Sequence, residues 1–150
     1  DHYQIRTDCS FTQVMHACAA PRKGHTGTWI HPQMVAAYTV LHEKGLAHSI
    51  ETWIDGVLVG GLYGVSLGKV FFGESMFSLV PDASKIAFAH LVKQLQCWEY
   101  GLIDCQVKTG HLASLGAREI SRVEFGQKLD TLIIGPNPGS KWHFDRVLIE

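Results

Sequence analysis

The pattern of hydrophobic and polar positions along the chain predicts three consecutive antiparallel strands in its middle. Residues 48–54 and 57–65 carry the β-branched and apolar residues typical of strands, and Asp55-Gly56 between them favours a type I′ hairpin. Gly68-Lys69 is a second turn signal, so the segment 70–76 is expected to return beside 57–65. Two further short strands, 3–6 and 102–107, and a terminal strand at 146–149 complete the predicted sheet.

Helices are predicted where apolar residues recur every three or four positions. Ser10 is a candidate N-cap for a helix that runs to Ala19, and a second helix spans about 32–44 with Pro32 in its first turn. The longest helix, 83–100, is expected to be capped by Asp82 and ended by Gly101; shorter helices are expected near 112–115 and 124–132. The apolar stripes are Met34, Ala37, Tyr38 and Leu41 in the second helix, and Ala87, Phe88, Leu91, Leu95 and Trp98 in the longest.

This order of elements, β-α-α-β-β-β-α-β-α-β, is an antiparallel meander followed by a crossover helix. It is similar to the order in the GNAT-type acyltransferase fold. The fold class is therefore predicted as α/β, a GNAT-like fold with a mixed, mostly antiparallel sheet and flanking helices. A chain of 150 residues is expected to form one such domain.

Composition narrows the classes of function. The net charge is −1 and the sequence has no polybasic arm. This disfavours a protein that binds nucleic acid mainly through a strong positive electrostatic field. The nine histidines are scattered and the four cysteines form no CxxC pair, so we expect no metal and reduced, cytoplasmic thiols. The sequence shows no signal peptide or membrane-spanning run, and its start at Asp1 is expected to mark a fragment of a longer protein.

Three polar side chains interrupt two runs that otherwise resemble buried strands. Glu74 lies within residues 71–77, and Asp104 and Gln106 lie within 102–106. Because a buried charge costs several kcal/mol unless it is paired, we interpret these groups as the floor of a site. Asp104 and Gln106 are expected on one face of their strand, about 6.6 Å apart along the backbone. The alternative, polar residues satisfied by loop amides at an open strand end, remains open.

Glu74 is expected to share a strand face with Phe72 and Met76 if the strand is regular. A bulge at Gly73 would bring Phe71 round instead. In either arrangement the carboxylate lies among large apolar groups, which suits a pocket that takes an apolar side chain and meets a cation; an ordinary salt bridge is the alternative. Glycines at 60, 61 and 64 leave the neighbouring strand without side chains at three positions. Glycine within a strand often marks the close approach of a ligand or of another backbone.

Nucleophilic catalysis by Cys105 with His111 as its base is a competing hypothesis. It is disfavoured because strand alternation points Cys105 away from the face that carries Asp104 and Gln106.

Six short runs occur in order over nearly the whole chain. They are Gly-Thr-Trp-Ile at 27–30, Gly-Gly-Leu-Tyr-Gly at 60–64, Phe-Phe-Gly-Glu-Ser-Met-Phe at 71–77, Ala-Ser-Lys at 83–85, Leu-Ile-Asp-Cys-Gln at 102–106 and His-Leu-Ala-Ser-Leu-Gly-Ala at 111–117. In this order they resemble the bacterial leucyl/phenylalanyl-tRNA–protein transferases. Members of that family also carry a smaller N-terminal domain, so this chain is similar to the GNAT-like catalytic domain alone.

The resemblance implies an enzyme without a cofactor that moves leucine or phenylalanine from its tRNA to the N-terminal Arg or Lys of an acceptor protein, which creates an N-end rule degradation signal. It implies that Asp104 and Gln106 form the catalytic pair that activates the acceptor amine, and that Trp29 lies near the terminal adenosine of the tRNA. The implied donor pocket consists of Leu62, Phe71, Glu74, Met76, Phe88, Leu91 and Ile103. Leu62 and Thr109 stand where some members have Met and Asn, which leaves those two contacts open.

Two alternatives to this function are a CoA-dependent N-acyltransferase on the same fold and a non-catalytic module that binds N-terminal Arg or Lys. The first is disfavoured because the connection 78–84 contains no glycine to wrap a diphosphate. The binding module is disfavoured because it would not require Asp104 and Gln106 to face the same cavity.

Overall fold

The computed structural model describes residues 3–19, 31–105, 120–133 and 142–144. These residues form five strands and four helices in the predicted order. The strands are β1 (Tyr3–Thr7), β2 (Ala47–Ile54), β3 (Val57–Leu67), β4 (Val70–Ser78) and β5 (Leu102–Asp104). The helices are α1 (Phe11–Ala19), α2 (Pro32–Glu43), α3 (Ala83–Cys97) and α4 (Arg122–Leu132).

The strands form a single sheet in sequence order, β1-β2-β3-β4-β5. The first four strands pair antiparallel, and β5 pairs parallel to β4 after the crossover through α3. Asp55 and Gly56 both have positive φ (50° and 78°), as a type I′ turn requires, so the predicted hairpin is confirmed. The mixed, mostly antiparallel sheet predicted from the element order is likewise confirmed.

Two hydrophobic clusters cover the two faces of this sheet. On one face α3 packs its predicted stripe, Ala87, Phe88, Leu91, Leu95 and Trp98, against side chains of β1 to β5. On the other face α1 and α2 pack against Tyr63 and Phe77. We call these the α3 face and the α1–α2 face. Because successive strand residues point to opposite faces, each residue of β4 and β5 is assigned to one of the two sides.

Three local predictions are wrong. Asp82 precedes α3 with a left-handed backbone (φ 67°) and makes no side-chain capping bond, so it does not cap the helix as expected. α3 ends at Cys97, not at Tyr100. In α2 the side chains that pack inward are Val35, Tyr38 and Leu41, whereas Met34 is exposed.

The predicted helix at 112–115 and the strand at 146–149 lie outside the described residues, as does the end of the strand 102–107. Within the part of the chain that the structure describes, no helix has the length and hydrophobicity needed to cross a lipid bilayer.

Candidate functional site

Of the predicted site residues that the structure describes, those on β4 and β5 lie near the point where β4 extends past β5. The parallel pairing of these strands covers only three pairs, from Val70↔Leu102 to Phe72↔Asp104. β4 continues to Ser78, still paired with β3 on its other side. Among the described residues, no strand pairs with the β5 side of β4 beyond Phe72, so the last six residues of β4 present an edge at which the two faces of the sheet meet.

A bulge in β4 decides where Glu74 points. Tyr63 of β3 pairs with Ser75, and the next residue, Gly64, pairs with Gly73, so Glu74 is an extra residue without a partner in β3. The arrangement expected for a regular strand, Glu74 on the same face as Met76, is therefore wrong. The alternative bulge occurs, but it does not bring Phe71 beside Glu74, because Phe71 packs on the α3 face. Met76 packs on the α3 face, whereas Glu74 contacts Tyr38 of α2 on the opposite face.

Two tyrosines lie near Glu74, which the sequence had placed among large apolar groups. The Tyr38 hydroxyl donates a hydrogen bond to the Glu74 carboxylate. Burial, and then the charge of Glu74, raise the pKa of Tyr38 to about 12. The pKa of Tyr63 is also raised, first by burial and then by Cys18, Tyr38 and Glu74. Both phenols therefore stay protonated at neutral pH, and Tyr38 serves as a donor that fixes the carboxylate.

Asp104 lies on the same side of the sheet as Glu74. Ile103 packs on the α3 face, so strand alternation turns Asp104 to the α1–α2 face, in register with Phe72. The end of β5 lies close to the bulge, since a Cβ added to Gly73 would be 3.5 Å from the Asp104 carbonyl oxygen. Two carboxylates from neighbouring strands are thus placed on one face beside the open edge of β4, an arrangement that attracts a cation.

The remaining predicted pocket residues form the adjoining part of the α3 face. Leu62, Phe71, Phe88 and Leu91 are buried in one cluster, and Met76 and Ile103 pack against it while partly exposed. The structure therefore brings together the six apolar residues predicted for the donor pocket, whereas Glu74, the seventh residue predicted for it, lies on the opposite face. Because the four inner side chains have almost no exposed surface, a bound side chain has to displace contacts within the cluster.

Cys105 is a poor candidate for a nucleophile. Burial and the charge of Asp104 both raise the pKa of its thiol, which disfavours the reactive thiolate. Its side chain packs on the α3 face, away from Asp104, as strand alternation predicted. His111, the base proposed for it, lies outside the described residues, as do Gln106, Trp29 and Thr109.

Sequence reasoning missed a buried polar network next to this cluster. Asp8 accepts hydrogen bonds from His48 Nδ1 (2.7 Å), the Ser49 amide (2.9 Å) and the Trp142 amide (2.7 Å). The His48 ring stacks on Trp142 at 3.9 Å, and no partner for its Nε2 atom occurs among the described residues. An acid just after a strand is a common loop residue, so the sequence carried no signal for this role.

A second buried acid, Glu51, has a structural role that the sequence also concealed. Its carboxylate is fully buried and accepts hydrogen bonds from the Cys9 and Ser10 amides, the Ser49 hydroxyl and the Trp53 indole. Two of these donors lie directly before α1, so Glu51 supplies the negative charge that the start of this helix favours. Within the described part of the chain, no group of His, Cys, Asp and Glu side chains has an arrangement that could hold a metal ion.

Comparison with known proteins identifies relatives over nearly the whole chain. The sequence profile described as leucyl/phenylalanyl-tRNA protein transferase matches residues 1–130. The leucyl/phenylalanyl-tRNA–protein transferase of Nitrosomonas eutropha is 68% identical over 145 residues, 97% of this chain and 62% of that protein. The protein of the same name from Nitrosospira multiformis is 63% identical over 149 residues, 99% of this chain and 64% of that protein. The chain therefore spans less than two thirds of the length of these relatives.

Solved structures support the fold independently. A ribosomal-protein-alanine N-acetyltransferase from Brucella melitensis superposes with a TM-score of 0.59 at 11% identity, covering 81% of this chain and 93% of that one. The aminoglycoside acetyltransferase AAC(6')-Iy, in complex with a CoA bisubstrate analogue, gives a TM-score of 0.54 at 15% identity, covering 81% and 95%. At such identities the likeness concerns the fold alone, and it confirms the GNAT-like acyltransferase architecture.

Proposed function

This chain belongs to the leucyl/phenylalanyl-tRNA protein transferase family, and we propose that it carries the acyl-transfer site of such an enzyme. The reaction joins leucine or phenylalanine from aminoacyl-tRNA to the N-terminal Arg or Lys of an acceptor protein, in the cytoplasm, and creates an N-end rule degradation signal. The observation that carries the proposal is the edge of β4 beyond Phe72, which no described strand covers, and where an apolar cluster on one face of the sheet meets two carboxylates on the other.

The apolar side receives the aminoacyl group of the donor. Met76 and Ile103 form its entrance, and Leu62, Phe71, Phe88 and Leu91 form its walls. Burial of each methylene contributes about 0.8 kcal/mol, which favours leucine and phenylalanine over smaller apolar residues. Trp29 offers a flat ring for stacking the terminal adenine of the tRNA.

The acidic side receives the acceptor. A protein that begins with Arg or Lys presents two positive groups, its α-ammonium and its side chain, and Glu74 and Asp104 supply two negative groups beside the same edge. The hydrogen bond from Tyr38 holds Glu74 in place, so its orientation is set before the acceptor arrives. The requirement for a basic first residue follows from this pairing of charges.

The chemistry needs no covalent intermediate because an aminoacyl ester is already activated. Placing the acceptor amine against the ester carbonyl can supply up to about 7–11 kcal/mol of the barrier reduction. An α-amine has an unperturbed pKa of about 7.7–8.0, so a minor fraction is neutral at pH 7. Gln106 accepts a hydrogen bond from this amine and Asp104 orients the Gln106 amide. The amine then attacks, the new C–N bond forms, and the proton that it loses passes to the departing ribose oxygen.

The proposal is tested with the protein at its natural length, supplied with labelled leucyl-tRNA and short peptides. We expect label to appear at the N-terminus of a peptide that begins with Arg, and none on a matched peptide that begins with Glu. The Gln106→Ala variant should retain binding of the Arg peptide and lose transfer. Equal labelling of both peptides contradicts the acidic acceptor site, and absence of transfer from the wild type overturns the proposed function.

The CoA-dependent alternative is disfavoured by the connection between β4 and α3. The acetyltransferases of this fold are bound to CoA in some of the structures that match. Here the first-turn amide of Ser84 is already bound, since it donates to the Ser78 hydroxyl at 2.8 Å. Thermal melts with CoA and with an aminoacyl-adenosine analogue separate the alternatives: only the analogue should raise the melting temperature.

A further inference from the structure

The segment 142–144 closes the α3 face next to the apolar cluster. Trp142 and Phe144 are both buried, and both belong to the cluster that contains the proposed donor pocket. The Trp142 ring lies 5.6 Å from the ring of Phe71, and edge-on to Trp98 at 5.3 Å. Trp142 is therefore a direct neighbour of a pocket wall, although it lies far from Phe71 in the sequence.

Both main-chain polar groups of Trp142 are bound by the end of β1. Its amide donates to Asp8 Oδ2 at 2.7 Å, and its carbonyl accepts from the Thr7 hydroxyl at 2.6 Å. One face of its ring is covered by His48, whose Nδ1 donates to the same Asp8 oxygen at 2.7 Å. A single buried carboxylate thus fixes the backbone of Trp142 and the ring stacked on it. With both main-chain groups bound and one ring face covered, Trp142 has little freedom to move.

Phe71 is held between this tryptophan and the backbone of β3. A Cβ added to Gly64 would lie 2.6 Å from Phe71 Cζ, so the ring rests directly on the glycine. Phe71 is completely buried, and it pairs with Ile103 in the neighbouring strand β5. With Gly64 on one side and Trp142 nearby, the ring cannot retreat from an incoming side chain without displacing one of them.

We propose that Trp142 is a positioning residue that sets the depth of the donor pocket through Phe71, with Asp8 and His48 holding it in place. This inference rests on the proposed function, since it concerns the choice between leucine and phenylalanine as the transferred group. Trp142 itself does not touch the reacting atoms. It determines how far the Phe71 ring can move away from a bound side chain, and therefore how large a side chain the pocket accepts.

The test compares two donors on the same enzyme preparation at its natural length. The measured quantity is kcat/KM with phenylalanyl-tRNA divided by kcat/KM with leucyl-tRNA. This ratio does not depend on the fraction of enzyme that is folded, so it separates pocket shape from general destabilisation. In Trp142→Phe, Phe71 gains room to retreat, and we expect the ratio to rise about tenfold or more, because a difference of one methylene in an apolar pocket changes kcat/KM by about 10- to 200-fold.

Two further variants sharpen the result. Asp8→Asn removes the carboxylate that binds the Trp142 amide and alters no pocket side chain, so the ratio should shift in the same direction. Trp53→Phe is the matched control: it makes the same substitution on the α1–α2 face and should leave the ratio within about twofold of the wild type, as expected for a site outside the pocket.

Each outcome has one meaning. An unchanged ratio in Trp142→Phe overturns the inference while the proposed function stands. A shift in Trp53→Phe as large as that in Trp142→Phe also overturns it, because both shifts would then reflect general loosening of the fold. A shift in Trp142→Phe without one in Asp8→Asn removes Asp8 and His48 from the proposal. If the wild type transfers neither amino acid, the proposed function fails and this inference fails with it.

Discussion

The Tyr38 hydroxyl donates a hydrogen bond to the Glu74 carboxylate and so connects α2 with the bulge in β4. α2 contains no buried residue, and its contacts with the domain come from half-buried side chains on one side. The orientation of Glu74 is therefore set by a helix that is itself weakly packed. A change at Tyr38 is expected to affect binding of the acceptor before it affects the overall fold.

The first prediction concerns this hydrogen bond. Tyr38→Phe keeps the ring and removes the donor, so Glu74 loses its fixed orientation. We expect KM for an Arg-initiated peptide to rise several-fold with kcat little changed, and the free energy of unfolding to fall by about 1 kcal/mol. Steady-state kinetics and urea denaturation measure the two effects. Tyr3→Phe, at an exposed position on β1, is the control and should alter neither. A kcat loss with unchanged KM contradicts the role in binding.

The second prediction concerns alkaline stability. The pKa of Tyr38 is raised to about 12 and that of Tyr63 is raised in the same direction. Above the unfolded-state pKa of about 10 the folded chain holds more protons than the unfolded chain, so stability falls as pH rises. The contribution of Tyr38 is fully present below pH 10 and is lost towards pH 12.

Urea denaturation between pH 9 and pH 12 measures this effect. The free energy of unfolding should decline less steeply in Tyr38→Phe than in the wild type. Parallel declines in the two proteins would show that the proton on Tyr38 is not coupled to folding.

The third prediction concerns the acid at the end of β5. Asp104→Asn removes the charge that we propose faces the acceptor and orients Gln106, and transfer should fall by about 10²–10⁴-fold, the range for groups that act in proton transfer. Asp82→Asn makes the same change at an exposed position and tolerates the left-handed backbone there, so it should keep wild-type activity. Wild-type kcat in Asp104→Asn, measured with saturating donor, would remove Asp104 from the reaction.

The fourth prediction concerns Gly64, on which Phe71 rests. In Gly64→Ala the new Cβ would lie 2.3 Å from the Phe72 carbonyl oxygen and 2.6 Å from Phe71 Cζ. The clash with backbone cannot be relieved by a rotamer change, and we expect a loss of about 1–3 kcal/mol in the free energy of unfolding. Gly126→Ala in α4 meets no atom within 4 Å and should be neutral or stabilise the protein by up to about 1 kcal/mol. Similar melting temperatures for the two variants would contradict the close approach.

The elements of the fold were predictable because their signals are local. Asp55-Gly56 defines a hairpin by its own backbone preference, and the stripe of α3 identifies its buried side from spacing alone. The failure at Asp82 is also instructive. Aspartate is a common N-cap, but here the residue adopts φ 67°, and the Ser78 hydroxyl binds the Ser84 amide instead. Ser78, six residues before Ser84, therefore provides the capping bond that local preference assigned to Asp82.

The candidate site was predictable in its residues and only partly in its geometry. The sequence offered a bulge at Gly73 as one of two arrangements, but the choice depends on how β4 pairs with β3, which no local pattern contains. The same holds for Asp8 and Glu51. The partners of Asp8 lie 40 or more residues away, and the Cys9 and Ser10 amides that bind Glu51 lie 42 and 41 residues from it. An isolated acid in a sequence does not show which amides will surround it.

The contact between Asp8 and Trp142 joins residues 134 positions apart. Loop closure over such a distance costs more entropy than a local contact, and earlier pairings within the sheet reduce that cost, so we expect Trp142 to dock late in folding. On the ribosome the aromatic side chains of the α3 face remain uncovered until residue 142 has left the exit tunnel. A nascent chain stalled before that point carries a formed meander with an exposed apolar surface, which is the form most prone to aggregation and to capture by chaperones.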